Sequence, residues 1–288
     1  KARLIIKGFQ DPDLLKIPRD SPTLSTLGRN MLFSVTAQRQ WRLAIGDIKT
    51  AFLNGDDTEV GREIYGERPD DVKDYLGMTK DQFFRVRKAI YGLLNAPRKW
   101  MEKLFGELRK DGWIQSTMEP CFWRLYEHGS LVGVLGVHVD DVVSSGDGDF
   151  YHERIRRLRS VFPFGSWKHA VDESVTFCGC EVKQNLNGSL DVKQERFALG
   201  LNEVNMSRER KQQEESAATD EEKKQMKGLL GGLAWRANQT APWLSATTSI
   251  LQGHTQAARV KDVLLANKLC RLQRAQANVG LHFSNEIQ

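Results

Sequence analysis

The segment VHVDD at 137–141 constrains this chain more than any other, because two adjacent aspartates interrupt two runs of strand-forming residues. The run before them, LVGVLGV at 131–137, has the apolar and glycine content of a buried strand, and Val142 and Val143 resume the apolar pattern. The pattern predicts a hairpin whose tip carries Asp140 and Asp141.

Two neighbouring carboxylates repel each other unless a cation lies between them. Carboxylate oxygens are hard ligands that suit Mg²⁺, which is usually shared between one or two carboxylates and the phosphates of a substrate. Aspartates are also common in tight turns for purely local reasons. The pair alone therefore leaves a metal site and ordinary turn chemistry as two open interpretations.

Composition indicates a globular chain with a basic surface. The 288 residues are 40% hydrophobic and 27% charged, and the formal net charge of +5 suits a polyanionic partner such as nucleic acid. The four cysteines include no CxxC pair, so neither a zinc site nor a disulfide framework is indicated. Because no apolar run reaches the length of a membrane span and no signal peptide opens the chain, we expect a soluble, intracellular protein without a membrane partner.

Hydrophobic spacing predicts an α+β fold. Strands are predicted at 41–48, 121–126, 131–139, 142–145 and 174–183, and helices at 98–111 and 150–162, the second of them capped by Asp147 or Asp149. Apart from one additional strand, this order corresponds to the β-α-β-β-α-β, ferredoxin-like arrangement, a sheet with two helices on one face. Such a sheet leaves its other face free for a substrate.

The chain after residue 200 is mostly helix-forming, with a polar linker near 207–220. It predicts a helical subdomain over 201–288 that follows a sheet-containing part over 1–200. The chain opens without Met and stops at FSNEIQ, so we also expect it to be a segment of a longer polypeptide.

A third carboxylate, Asp47, ends the first predicted strand and begins DIKTAFLNGD at 47–56. In the predicted sheet this strand lies beside the hairpin that carries Asp140, although the two residues are far apart in the sequence. Three aspartates at neighbouring strand ends could hold two Mg²⁺ ions for attack at a phosphate. The alternative for Asp47 is a residue that simply ends a strand.

Six blocks resemble, in order, the motifs of copia-type retrotransposon reverse transcriptases, and together they span nearly the whole chain. They are KARLIIKGF at 1–9, DIKTAFLNGD at 47–56, RKAIYGLLNAPRKW at 87–100, VHVDD at 137–141, FCGCEV at 177–182 and GGLAWRANQTAPWLS at 231–245. The resemblance implies a right-hand polymerase, with a ferredoxin-like palm and interleaved fingers over 1–200 and a helical thumb or connection over 201–288. We expect no ribonuclease H block within residues 1–288.

The resemblance also implies roles in nucleotidyl transfer. Asp47, Asp140 and Asp141 would be the catalytic carboxylates that hold two Mg²⁺ ions, for which Mn²⁺ can substitute. Phe52 would be the aromatic steric gate that excludes ribonucleotides. The full set implied to bind the incoming deoxynucleoside triphosphate (dNTP) is Lys1, Arg3, Phe52, Tyr91, Gly92 and Lys168.

Two further features concern the primer strand. The residues that resemble the primer grip, a hairpin that positions the primer 3′ end, are Phe177, Cys178, Gly179 and Cys180. The usual Tyr-x-Asp-Asp of the family is His138-Val139-Asp140-Asp141 here, so an imidazole replaces the aromatic ring that supports the primer terminus.

Three functions follow as hypotheses. The first is an RNA-directed DNA polymerase that extends a primer on an RNA or DNA template with dNTPs, as part of a larger polyprotein in a cytoplasmic virus-like particle or in the nucleus. The second is a catalytically inactive relic that binds nucleic acid without polymerising it. The third is a metal-dependent phosphohydrolase, although the sequence has no candidate His or Glu ligand cluster for it.

Overall fold

The computed structural model of the protein describes residues 5–11, 13, 15–55, 63–67, 77, 79 and 82–286. The chain divides into two compact units: a first unit of Lys1–Gly28 with Ala44–Trp167, and a second unit of Arg29–Leu43 with Lys168–Gln288. The division into fingers and palm over 1–200 and thumb or connection over 201–288 stays a prediction.

The described residues contain both helices and strands, which confirms the mixed α and β class. In chain order up to residue 169, these are α1 (Thr26–Arg39), β1 (Arg42–Ile48), β2 (Ile64–Glu67), β3 (Phe83–Val86), α2 (Ala96–Lys110), β4 (Ile114–Gln115), β5 (Phe122–Glu127), β6 (Ser130–His138), β7 (Asp141–Gly146), α3 (Asp149–Val161) and β8 (Phe164–His169).

Six of the described strands form one sheet in the order β4-β5-β6-β7-β1-β8, and β2 and β3 pair as a separate hairpin. With β2, β3, β4 and β5 left aside, β1, α2, β6, β7, α3 and β8 follow one another as β-α-β-β-α-β. Because β1 lies next to β7, the end of β1 meets the tip of the β6–β7 hairpin. This adjacency positions the candidate site.

The prediction of a strand at 174–183 is wrong in two respects. The strand that lies beside β1 is β8, and the 174–183 segment forms a hairpin of β9 (Val175–Phe177) and β10 (Cys180–Gln184). Cys178 and Gly179 adopt positive φ angles of 49° and 72°, which make a two-residue turn in the middle of an apolar run. Apolar spacing alone does not reveal such a turn.

Helix α2 begins with Pro97 in its first turn, where the missing N–H of proline costs nothing. Its buried residues are Ala96, Trp100, Leu104, Phe105 and Leu108, a stripe at helical spacing. The Trp100 ring packs edge-on against Phe162 with centroids 5.2 Å apart, and Phe105 packs against Trp123 at 5.0 Å. The predicted helix at 98–111 is therefore the helix that covers this part of the core.

The predicted cap of α3 is wrong. Gly148, at φ 88°, is the N-cap residue and no side chain caps the helix, while Asp149 lies in its first turn. A carboxylate at that position still interacts favourably with the helix dipole. An acidic residue does lie at the start of α3, but it is in the first turn and is not the N-cap.

The second unit contains a sheet in the order β12-β11-β10-β9 and a set of helices that bury a shared core. Its remaining elements are β11 (Leu190–Lys193), α4 (Glu195–Gly200), α5 (Arg208–Lys211), α6 (Asp220–Gln239), α7 (Ser245–His254), α8 (Val260–Ala275) and β12 (Leu281–Phe283). Among the described residues, no helix has the length and apolarity that crossing a bilayer requires.

Helix α6 begins at a capping box in which Thr219 and Glu222 each accept a backbone N–H of the other. The Glu222 carboxylate also accepts from Nε and Nη2 of Arg210, both at 2.9 Å. These Arg210 hydrogen bonds, together with the N–H of Thr219, lower the pKa of Glu222 to about 2. A lowered folded-state pKa means that the carboxylate stabilises the protein above its ordinary pKa and loses this contribution as the pH falls towards 2.

Glu222→Gln is therefore expected to lower the free energy of unfolding by about 1–2 kcal/mol at pH 7, because it removes a charged acceptor from Arg210 and from the capping box. The difference from wild type is expected to shrink as the pH falls from 5 to 3. Urea unfolding at pH 7 and pH 3 measures it. Glu221→Gln, on the exposed side of the same turn, is the matched control, and an equal loss in both variants would contradict the assignment.

Candidate active site

The tip of the β6–β7 hairpin is a two-residue turn of Val139 and Asp140, since His138 pairs with Asp141 in the ladder. Val139 has a φ of 59°, a strained conformation for a β-branched residue. Two hydrogen bonds hold the tip: the Ile48 N–H donates to the Asp140 carbonyl at 2.8 Å, and Trp100 Nε1 donates to the Val139 carbonyl at 2.7 Å. The end of β1 and helix α2 together fix the turn.

Asp47, one residue before the end of β1, has a partly buried side chain. Its Oδ1 accepts a hydrogen bond from Ser166 Oγ at 2.6 Å. A Cβ atom at Gly165 would lie 2.5 Å from Asp47 Oδ2, so β8 can pass this carboxylate closely only because residue 165 is glycine. Gly165 and Ser166 were not predicted as site residues, because a single Gly-Ser pair carries no recognisable sequence signal.

The three aspartates interact electrostatically. The pKa of Asp141 is raised to about 6, first by burial and then by the Asp140 carboxylate, with a further contribution from Asp47 and an opposing one from His138. Within the described ranges, no Lys or Arg forms an ion pair with Asp47, Asp140 or Asp141. Over the part of the chain that the structure describes, the patch therefore gathers negative charge without a paired cationic side chain.

The sequence resemblance implies divalent ions at these three aspartates. Among the residues that the structure describes, no three His, Cys, Asp or Glu side chains form a ready-made metal-binding group. Mg²⁺ retains waters and commonly takes only one or two carboxylates together with substrate phosphates. The donor set of Asp47, Asp140 and Asp141 thus fits ions shared with a phosphate substrate, and does not fit a closed protein cage.

Asp141→Asn is expected to stabilise the protein above pH 6. Because the folded-state pKa of Asp141 is raised, its contribution to stability is fully present only below its ordinary pKa of 3.8 and is lost as the pH rises through about 6. Asparagine removes the charge that burial and the neighbouring aspartates oppose. After allowance for solvent screening of this half-buried group, the gain in unfolding free energy is about 1–2 kcal/mol at pH 8.

Urea unfolding at pH 5 and pH 8 in the presence of a metal chelator measures this gain, which is expected to be smaller at pH 5. Asp147→Asn, at an exposed position outside the helix, is the control. A variant that is less stable than wild type at pH 8 would contradict the electrostatic account of Asp141.

The structure brings together three of the residues predicted to bind dNTP. Phe52, in a 3₁₀ turn at Ala51–Asn54, packs its ring edge-on against Tyr91 with centroids 4.9 Å apart. Gly92 follows Tyr91 with a φ of 91°, and a Cβ there would lie 1.9 Å from the Ile6 carbonyl oxygen. Lys1 and Arg3, predicted to hold the triphosphate, lie outside the described residues.

The other predicted residues lie as follows. His138 is half-buried and faces Asp141 across the hairpin. Lys168 belongs to the second unit, where its Nζ pairs with Glu173 at 3.1 Å. The residues that resemble the primer grip form the β9–β10 turn, also in the second unit, with Phe177 and Cys180 buried on either side of Cys178 and Gly179. The functional roles of all these residues stay predictions.

Comparisons with known proteins identify the family. The sequence profile described as reverse transcriptase (RNA-dependent DNA polymerase) matches residues 1–210. Two Arabidopsis thaliana proteins, the retrovirus-related Pol polyproteins from transposons RE2 and RE1, are each 31% identical to this chain over 70% of its length. The matched region covers only 13% of either polyprotein.

One solved structure is also similar, that of a foamy viral protease-reverse transcriptase in complex with double-stranded DNA. It has 13% sequence identity and a TM-score of 0.48, over 90% of this chain and 39% of that one. The family match spans the residues that carry the motifs at 47–56 and 137–141. The chain belongs to the reverse transcriptase family and, by its similarity to these retrotransposon Pol polyproteins, is a copia-type reverse transcriptase domain.

Proposed function

We propose that this chain catalyses RNA-directed DNA synthesis, adding dNTPs to a primer 3′-hydroxyl on an RNA or DNA template as part of a larger polyprotein. The observation that carries the proposal is the meeting of Asp47 with Asp140 and Asp141, remote in sequence, in one patch without a paired Lys or Arg among the described residues. A patch of this kind is suited to divalent ions and to the phosphates that they bind.

In this proposal Asp47 and Asp140 hold two Mg²⁺ ions, or Mn²⁺ in their place, and Asp141 is the third carboxylate. When bound, the ions would neutralise charge on the phosphates and lower the pKa of the attacking hydroxyl. The chain itself supplies the positioning: Ser166 orients the Asp47 carboxylate, while Ile48 and Trp100 fix the Asp140 turn. His138, opposite Asp141, would support the primer terminus.

The same proposal assigns residues to the binding of the dNTP and of the primer end. Phe52, Tyr91 and Gly92, with Lys1, Arg3 and Lys168, would bind the incoming dNTP, and the 177–180 turn would hold the primer end. The fold would act as a right hand, with fingers and palm over 1–200 and a helical thumb or connection over 201–288. The domain would work in a cytoplasmic virus-like particle or in the nucleus.

Primer extension tests the function. Purified protein is given a homopolymer RNA template, a DNA primer and the matching dNTP, with Mg²⁺, with Mn²⁺ or with a chelator. The proposal expects incorporation that needs the divalent ion and that Asp147→Asn, a change at an exposed aspartate beyond the same hairpin, leaves intact. Salt-sensitive binding of the template without any incorporation would instead identify an inactive relic, and release of free phosphate without primer would identify a phosphohydrolase.

Phe52→Ala is expected to relax discrimination against ribonucleotides by about 10- to 100-fold, because the ring that packs against Tyr91 would no longer meet a 2′-hydroxyl. The measurement is the ratio of kcat/KM for a deoxynucleotide to that for the matching ribonucleotide. Leu53→Ala, at the exposed neighbouring position, is the control. An unchanged ratio in an active Phe52→Ala enzyme would show that Phe52 is only a packing residue.

A further inference from the structure

The β9–β10 turn in the second unit has a backbone conformation that is unfavourable for one of its two residues. Cys178 adopts a φ of 49° and Gly179 one of 72°, so two successive residues lie in the left-handed region. Glycine tolerates this conformation, but a residue with a Cβ does so only when its surroundings hold it. Contacts from outside the hairpin must therefore fix the turn.

One such contact comes from Gln194, the N-cap residue of α4, whose side chain is buried. Its Nε2 donates to the Gly179 carbonyl at 3.3 Å, and its Oε1 accepts from Thr240 Oγ1 at 3.0 Å. Gln194 is 1% exposed and Thr240 is fully buried, so neither group has water as an alternative partner. The Gln194 amide thus connects the turn to the C-terminal end of α6.

A second contact fixes the residue after the turn. Arg29 of α1, also buried, donates from Nη1 to Cys180 Sγ at 3.3 Å and to Gln239 Oε1 at 2.5 Å. Its Nη2 donates to the Gln239 carbonyl at 3.1 Å, at the end of α6 where a cation is favoured. Two separate side chains therefore tie the turn to the same end of α6.

The outer side of the turn is exposed. Gly179 is open to solvent, and the exposed indole of Trp235 lies beneath it, with its nearest ring atom 3.4 Å from where a Cβ would be. The turn is thus held rigidly on its inner side and available on its outer side. This combination is what a surface needs in order to place another molecule accurately.

We propose that Gln194 is a positioning residue for primer extension: its amide, held by Thr240, fixes the Gly179 peptide and so sets the place of the primer 3′ end. The inference rests on the proposed function, because it takes the 177–180 turn as the primer contact. Misplacing a reacting hydroxyl by about 1 Å can cost about 10²-fold in rate. Gln194 acts at a distance and does not itself touch the reacting atoms.

The chain carries its own reporter of this turn. Of its four cysteines, Cys121, Cys180 and Cys270 are buried and Cys178, in the turn, is half-exposed. Modification of the native protein by a thiol reagent therefore reports the mobility of the turn and needs no catalytic activity. Bound primer–template is expected to slow this modification in the wild-type protein.

The test compares Gln194→Leu and Thr240→Val, which remove the amide and the hydroxyl, with Thr240→Ser, which keeps the hydroxyl. We expect Cys178 to be modified at least about fivefold faster in the first two and at the wild-type rate in the third. We expect the extension rate at saturating dNTP to fall by about 10- to 100-fold in the first two, with the KM for dNTP unchanged.

Wild-type modification rates in both Gln194→Leu and Thr240→Val would overturn the inference, whatever the activity. Faster modification of Cys178 without slower primer extension would overturn the positioning role of Gln194 and leave it a purely structural role. If the wild-type protein extends no primer, the proposed function fails. The inference is then decided by the thiol assay: it stands if primer–template protects Cys178 in the wild type but not in Gln194→Leu, and it fails otherwise. If one variant does not fold, the other carries the comparison with Thr240→Ser.

Discussion

Asp140→Asn is expected to reduce primer extension by at least about 10³-fold without loss of the fold. The change keeps the side-chain shape at the exposed tip of the β6–β7 hairpin, and the Asp140 carbonyl can still accept the Ile48 N–H. It removes one of the charges that the proposed ions need. It also relieves repulsion of Asp141, so the variant is not expected to unfold more easily than wild type.

The measurement is kcat/KM for dNTP with Mg²⁺ and with Mn²⁺, together with thermal unfolding and template binding. Asp47→Asn is expected to give a similar loss, because that carboxylate is oriented towards the same patch by Ser166. Asp147→Asn is the matched control. An Asp140→Asn enzyme with more than a tenth of wild-type activity would remove Asp140 from the catalytic group.

Arg236→Met is expected to produce the largest loss of stability in the second unit, about 3–5 kcal/mol. Arg236 is fully buried in α6, and burial lowers the pKa of its guanidinium without a carboxylate partner among the described residues. The hydrogen bonds that it donates all go to the end of α8 and the turn that follows, at Gln273 O (2.5 Å), Gln273 Oε1 (2.7 Å), Gln276 O (2.6 Å), Ala277 O (3.4 Å) and Val279 O (3.2 Å).

Methionine would fill the space of the Arg236 stem but leave several buried carbonyl groups without a donor. Urea unfolding followed by circular dichroism measures the loss. Arg271→Met is the control, since Arg271 is largely exposed and pairs with Glu203 at the surface, where an ion pair contributes little. A loss below about 1 kcal/mol for Arg236→Met would mean that the helix end finds other donors.

The hairpin of β6 and β7 and the position of Asp140 could be predicted because the two aspartates interrupt apolar runs of strand-forming residues. It also predicted that Asp47 approaches Asp140, since a β-α-β-β-α-β order places the first strand beside this hairpin. These features depend on the pattern of apolar residues, which a single sequence displays directly. The helical spacing of apolar residues located α2 and α3 to within a few residues.

Other features were missed because they depend on contacts between distant residues. Apolar spacing predicted one continuous strand through Cys178 and Gly179, where positive φ angles make a turn, and only the resemblance to a primer grip implied a hairpin there. The close approach of Gly165 to Asp47 depends on β8 lying beside β1, and the predicted partner strand was a different segment. In the sequence Arg236 looks like an ordinary surface cation. Its role as a buried hydrogen-bond donor arises because the end of α8 lies beside it in the fold.

Trp100 makes the stability of the interior and the alignment of the carboxylates inseparable. Its ring makes a T-shaped contact with Phe162 in the core, while its N–H donates to the carbonyl of Val139, a valine in an unfavourable backbone conformation. A substitution near this indole that shifts it by a fraction of an ångström would also shift the Val139 carbonyl, to which it is hydrogen-bonded. The shift would thereby move the neighbouring carboxylates. Drift in core packing is therefore a route by which such a domain could lose activity while all three aspartates are retained.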